Sequence, residues 1–259
     1  MTTRTPLAAA HPRAGFRQAY AAEWIKFVSV RSLLWTTVAT ALVPVLGAVF
    51  VAATSSLQPD DTVLGGSLTL SVVAQMLAAV AGALTVSGEY TAGTLRATLS
   101  ACPRGGTVLA AKGAVLATVL YVPALVSCGA AYVLGGALLP ASHPAGEPLP
   151  ALFGVAASFV LAGWLGLAVG TLVRHSAGSV GAVLGLLVLP SVFGPLLGAA
   201  EPWVAGFSPT AALEKLTQTS DATADAVGSL GAWPSLLLVA GCTAALLLAA
   251  AVALRARDV

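Results

Sequence analysis

Residues 151–198 read ALFGVAASFVLAGWLGLAVGTLVRHSAGSVGAVLGLLVLPSVFGPLLG. Two apolar runs flank one short polar turn, Arg174-His175-Ser176, and Arg174 is the only charged residue between Glu147 and Glu201. Each run exceeds the roughly 20 residues that a helix rising about 1.5 Å per residue needs to cross the hydrocarbon of a bilayer. So short a turn forces the two helices to pack as an antiparallel hairpin. Neither run keeps the two-residue alternation of a membrane barrel, so helices are the only spanning solution.

Outward from this hairpin the pattern repeats. No Asp, Glu, Lys or Arg interrupts Arg31 to Asp60, Asp61 to Glu89, Lys112 to Glu147, or Asp225 to Arg255. A charge at a helix centre costs about 2.5–3.5 kcal/mol on insertion scales, which accounts for the clean runs. The reading is an all-α polytopic bundle with six spans near 33–54, 66–86, 114–138, 151–173, 177–198 and 234–254. Composition agrees. Residues of the set AVILMFWYC make up 58% and charged residues 8%, whereas soluble domains carry about 25% charge.

The basic residues set the orientation. With the N-terminus in the cytoplasm, Lys215 alone among the 12 lysines and arginines lies outside, as the positive-inside rule demands. Asp60, Asp61, Glu147, Glu201, Glu214, Asp221 and Asp225 fall on the outer side. Val51-Ala52-Ala53 weakly resembles a signal cleavage site. The long leading segment and the length of the apolar run instead favour a retained span. Cys128 and Cys242 lie within spans and Cys102 in a cytoplasmic loop, which does not suit a disulfide framework.

Residues 1–18 read as a disordered cytoplasmic tail. From about Ala19 to Arg31, Tyr20, Trp24, Phe27 and Val28 share one helical face, with Arg17, Glu23, Lys26 and Arg31 mostly on the other. That pattern describes a helix lying in the membrane interface, carried by Trp24, Lys26, Phe27 and Arg31. The rival reading is the wet end of the first span. Ser208-Pro209, a capping residue followed by proline, opens a short outer helix through Leu216. Gly166/Gly170, Gly181/Gly185 and Gly194/Gly198 are small-xxx-small pairs that permit close helix approach. Pro44, Pro123, Pro190 and Pro195 can kink their helices.

Catalytic and metal-binding constellations are missing. His11, His143 and His175 occupy the tail and two loops, and Gly106 to Lys112 lacks the glycine and hydroxyl residue of a phosphate-binding loop. The spans hold no ionisable carboxylate of the kind that ion-coupled carriers use. Gln75, Ser127 and Ser158 are the candidate pathway-lining polar residues, with interhelical hydrogen bonding as the other role for Gln75.

The loop between the second and third spans, 87–104, carries Ser87-Gly88-Glu89-Tyr90-Thr91-Ala92-Gly93-Thr94-Leu95-Arg96, then Cys102-Pro103-Arg104 and Ala111-Lys112. Thr94 can cap a short helix with Leu95 and Leu99 on one face. Such a helix would expose Glu89, Tyr90 and Arg96 as a docking surface, and Lys112 would anchor the next span. An ordinary interfacial loop is the other reading of the residues.

Glu89-Tyr90-x-x-Gly93-Thr94-Leu95-Arg96, Pro103-Arg104 and Ala111-Lys112 resemble the type-2 permeases of ATP-binding-cassette (ABC) exporters. Ala22-Glu23-Trp24-Ile25-Lys26, Val30-Arg31-Ser32 and the Arg255-Ala256-Arg257-Asp258 tail extend the likeness over nearly the whole chain. It is closest to the Ala/Gly/Val-rich permeases of actinobacteria. Gly105-Gly106 departs from the pattern, where a second basic residue is expected. The resemblance implies a single permease domain over 19–259, without catalysis of its own, in a bacterial plasma membrane with both termini cytoplasmic. It implies coupling to a separate cytoplasmic ATPase through Glu89, Tyr90, Gly93, Thr94 and Arg96. ATP and Mg would sit on that partner, with no cofactor on this chain. The other expected partners are a second permease copy, identical or related, and membrane lipid, but no nucleic acid. An ion-coupled secondary carrier and a non-transporting anchor or sensor remain the alternatives.

Overall fold

The structure, a computed structural model, describes residues 15–94, 105–140, 142–194, 196, 198, 204, 206–220 and 222–257. Its helices are α1 (Phe16–Ser29), α2 (Arg31–Thr54), α3 (Val63–Ser67), α4 (Ser71–Ala92) and α5 (Gly105–Leu138). They continue with α6 (Pro148–Val173), α7 (Ser176–Phe193), α8 (Pro209–Thr217), α9 (Ala224–Val227) and α10 (Ala232–Arg257). No strand occurs among the described residues. Six helices, α2, α4, α5, α6, α7 and α10, include a stretch long and apolar enough to span a membrane. The all-α polytopic bundle read from the charge-free runs is the observed fold.

Several ends differ from the hydropathy boundaries. The second span starts at Ser71, because residues before it form α3 and a turn. There Ser67 Oγ donates to Val63 O at 2.6 Å and Thr69 Oγ to Gly65 O at 3.1 Å, the local bonds by which Ser and Thr compete with a regular helix. At its other end α4 continues through Glu89 and Tyr90 to Ala92 and stops at Gly93, whose φ of +67° is the left-handed cap that glycine favours. The third span starts at Gly105, well ahead of 114, and the fifth ends at Phe193. Helix also begins at Phe16, so residues 16–18 belong to α1 and not to a tail.

α6 is the most deeply buried span and α4 the next, whereas α2, α7 and α10 leave most of their surface facing outward. α4 and α6 meet backbone to backbone. A Cβ on Gly82 would overlap the Gly163 carbonyl, one on Gly166 would overlap Ala79 O, and one on Gly170 would lie 2.8 Å from Ala83 O. Gly166/Gly170 is therefore a packing pair, completed by Gly82 and Gly163. Nothing outside α7 itself lies within 4 Å of a Cβ added at Gly181 or Gly185. Pro44, Pro123 and Pro190 sit inside continuous helices, and Pro195 lies outside the described residues.

Both α1 and the end of α10 lie at one end of the bundle, where Arg255 approaches Gly106. The opposite end is closed by polar links between distant loops. Ser220 N donates to Asp61 Oδ1 at 2.8 Å, Val63 N to Pro144 O at 2.9 Å and Glu147 N to Gln218 Oε1 at 3.1 Å. α8 caps this end as its sequence predicts. Ser208 Oγ accepts from Ala211 N at 3.0 Å, Pro209 follows, and Ala211, Ala212, Leu213 and Leu216 are buried.

The α4–α6 contact generates a direct test. Gly82→Ala should destabilise the protein by about 1–3 kcal/mol, because a backbone neighbour cannot move aside as a side chain can. Gly181→Ala and Gly241→Ala, where a Cβ meets open space or its own helix, should be neutral or gain up to about 1 kcal/mol of helix propensity. Melting of the three variants in detergent checks the contrast.

Candidate functional site

The N-terminal helix is positioned by two inward residues, Glu23 and Phe27, 5% and 3% exposed and one helical turn apart. They face α5, where Tyr20 Oη also comes within 3.4 Å of Thr118 Oγ. The expected division of faces is thus corrected for Glu23 and Phe27. Phe27 is core, and Glu23 points into the protein. Phe16, Trp24, Ile25 and Val28 are its exposed large apolar residues, and the Trp24 ring stacks on Tyr20 at 6.2 Å. Val30 adopts extended backbone and separates α1 from α2. Arg31 therefore opens the first spanning helix and is not part of the interfacial one.

Glu23 is buried because a cation meets it. Lys112, more than one turn inside α5 and only 1% exposed, places Nζ 2.6 Å from Glu23 Oε2 and 2.7 Å from Glu89 Oε1. Lys26 closes the ring, with Nζ 3.0 Å from both Glu23 Oε1 and Glu89 Oε1. Two carboxylates and two ammonium groups from three separate segments thus form one cluster with no net charge. Burial alone would lower the Lys26 pKa. The bonds and charges of Glu23 and Glu89 outweigh that burial and raise it, so Lys26 stays an ammonium at neutral pH.

Glu89 is consequently not an exposed docking residue. Its side chain is 12% exposed and occupies the last turn of α4. Tyr90, its neighbour, lies under Arg174, whose guanidinium carbon is 5.2 Å from the ring centroid. Thr91 Oγ is 3.0 Å from Ser176 Oγ. The end of α4 is thereby tied to the N-terminal helix, to α5 and to the α6–α7 turn. Gly93 ends the helix and Thr94 follows in the turn. Arg96, Leu99 and the short helix expected around them lie outside the described residues.

A cavity of about 330 Å³ adjoins the cluster, with Phe27, Leu33, Leu84 and Val115 among its apolar walls and Glu89 and Lys112 among its polar ones. Gln75, Ser127 and Ser158 do not line it. They lie on three helices and are buried. Ser127 Oγ donates to Ala124 O at 3.2 Å and Ser158 Oγ to Val155 O at 2.8 Å, each within its own helix. Gln75 Nε2 instead donates to Pro209 O at 3.0 Å, joining α4 to the start of α8. Sequence reading missed the pairing of Glu23 with Lys112. The available signal was a lysine standing after Ala110-Ala111 and before Gly113-Ala114, in a run otherwise fit for the membrane core.

Removing one buried partner of such a cluster leaves a charge uncompensated, at a cost of about 3–5 kcal/mol. Lys112→Met should therefore lower the melting temperature far more than Lys26→Met, whose lysine is 41% exposed. Adding Glu23→Gln to Lys112→Met should recover part of the loss. Equal effects of the two single substitutions would contradict the geometry.

No curated protein matches the chain. The family model described as ABC-2 family transporter protein matches residues 19–259, which takes in α4, the ion cluster and all six spans, and the chain belongs to that family.

Proposed function

We propose that this chain is the permease subunit of an ABC exporter and couples to a separate cytoplasmic ATPase through the 87–104 loop. Family membership supports the general assignment, an ABC-type membrane transport subunit working with an ABC ATPase. The observation that carries the finer reading is the fixed end of α4. Glu89 is held by Lys26 and Lys112, while Tyr90 and Thr91 face Arg174 and Ser176. A push on the segment beyond Gly93 would reach three helices at once through those contacts.

In this reading ATP and Mg bind the partner, and this chain contributes no cofactor. Thr94 and Arg96 belong to the docking segment, Glu89 and Tyr90 anchor it, and Gly93 sets its direction. The N-terminal helix lies along the inner surface of a bacterial plasma membrane, with both termini cytoplasmic by the charge rule. Two copies, or two related permeases, form the pathway. α8 and the 200–232 connection form its outer closure, hinged on the Gln75–Pro209 bond. ATP-driven closure of the ATPase pair would shift both docking segments and rock the bundles between inward- and outward-open states.

Arg96→Ala, outside the cluster, should reduce co-purification of the ATPase about tenfold, a loss of about 1.4 kcal/mol at one contributing interface residue. Glu89→Ala should do the same while also lowering the melting temperature. Membrane insertion should be unchanged in both. Full recovery of the ATPase with both variants would sink the assignment.

A further inference from the structure

We propose that the cavity beside the ion cluster binds an uncharged amphiphile, an apolar chain ending in a hydroxyl. Four observations select that chemistry. The walls are mainly apolar, and the volume, about 330 Å³, falls at the small end of ligand sites, roughly 300–1,000 Å³. Gly88 lines the cavity, and a Cβ built there meets nothing within 4 Å, so the absence of a side chain keeps the space open. Glu89 Oε1 accepts from both lysines, whereas its Oε2 is buried and has no donor. The cluster is electrically balanced, two lysines against two glutamates.

The charge balance decides the head group. An anion would have to displace Glu23 or Glu89 from a lysine, and a cation would bring a third ammonium beside two already present. Either leaves a net charge on a cluster in which Glu23, Glu89 and Lys112 are 5%, 12% and 1% exposed, where it is costly. A neutral hydroxyl adds no charge and donates to a carboxylate oxygen, a bond roughly twice as strong as one between neutral groups. Glu89 lines the cavity, and its Oε2 is the carboxylate oxygen left to accept that hydroxyl. The chain then runs along Phe27, Leu33, Leu84 and Val115. Lipid of the leaflet that holds α1 is the source of such a molecule.

The test uses the full chain in phosphatidylcholine nanodiscs and a long-chain primary alcohol with a diazirine in its chain. The matching amine, carboxylate and hydroxyl-free hydrocarbon run beside it. After irradiation, peptide mapping should place the alcohol on residues 27–33 and 84–92, at about tenfold the yield of the other three probes. Gly88→Leu and Ala92→Leu, both filling the cavity while leaving all four charged residues in place, should remove that label while the melting temperature holds or rises. Equal labelling by alcohol and hydrocarbon, the result if only water enters, overturns the proposal. So does preference for the amine or carboxylate, or retention of the label in folded Gly88→Leu and Ala92→Leu. The assay contains no ATPase, so its failure is separate from failure of the coupling assignment.

Discussion

Lys112 is a fully buried ammonium on a spanning helix, and the placement of its neighbours follows from that fact. Withdrawing an ammonium from water costs several kcal/mol even after relaxation. At an effective dielectric near 20, one opposite charge at 4 Å returns about 4 kcal/mol. Each carboxylate carries a similar desolvation cost, so the cluster holds only with its charges paired closely, at 2.6 and 2.7 Å from Lys112. Glu23 must therefore face inward, which fixes the rotation of α1. Glu89 must reach the same point, which requires α4 to remain helical past the apolar part of its sequence. Lys26 then neutralises the second negative charge from the wet side.

The α4–α6 contact gives that cluster a rigid support. With glycine at Gly82, Gly163, Gly166 and Gly170, the two backbones touch without side chains between them, and dense interiors transmit strain instead of absorbing it. Glu89 and Gln75 stand on the same helix, 14 residues and about 21 Å apart along the axis. One is pinned to Lys112 and Lys26, the other to Pro209 at the start of α8. α4 is thus a continuous physical link between the end bearing α1 and the last turns of α10 and the opposite one.

How much of this was legible in the sequence depends on the range of the interaction. The six spans follow from a local rule, the cost of a charge in hydrocarbon, which holds along each charge-free run and gives way at a helix end where a distant residue supplies the opposite charge. Ser208-Pro209 opens α8 for an equally local reason, the satisfaction of the first free N–H groups. Glu23 was misplaced because periodicity assigns polar residues to the wet face, and only a lysine 89 positions away makes the inward face polar. Glu89 was read as loop for the same reason. Hydropathy counts its charge against a helix but cannot see Lys26 and Lys112 cancelling it. Gly82 escaped notice because its partner Gly163 lies on another helix, and spacing within one helix carries no record of that.

The two lysines are not equivalent, and the difference orders how the junction can open. Lys26 is 41% exposed, so water can take over its solvation when it leaves the glutamates, whose side chains are 5% and 12% exposed. Lys112, at 1% exposure, has no such alternative and keeps both carboxylates as long as the helices stay packed. An apolar plug of the same volume could match the cluster in stability, but it would resist every displacement alike. The charged version gives up the Lys26 contact, leaving one carboxylate charge uncompensated, before it gives up the Lys112 contact. The N-terminal helix is therefore held less firmly at its surface side than at depth, where Lys112 joins α1, α4 and α5.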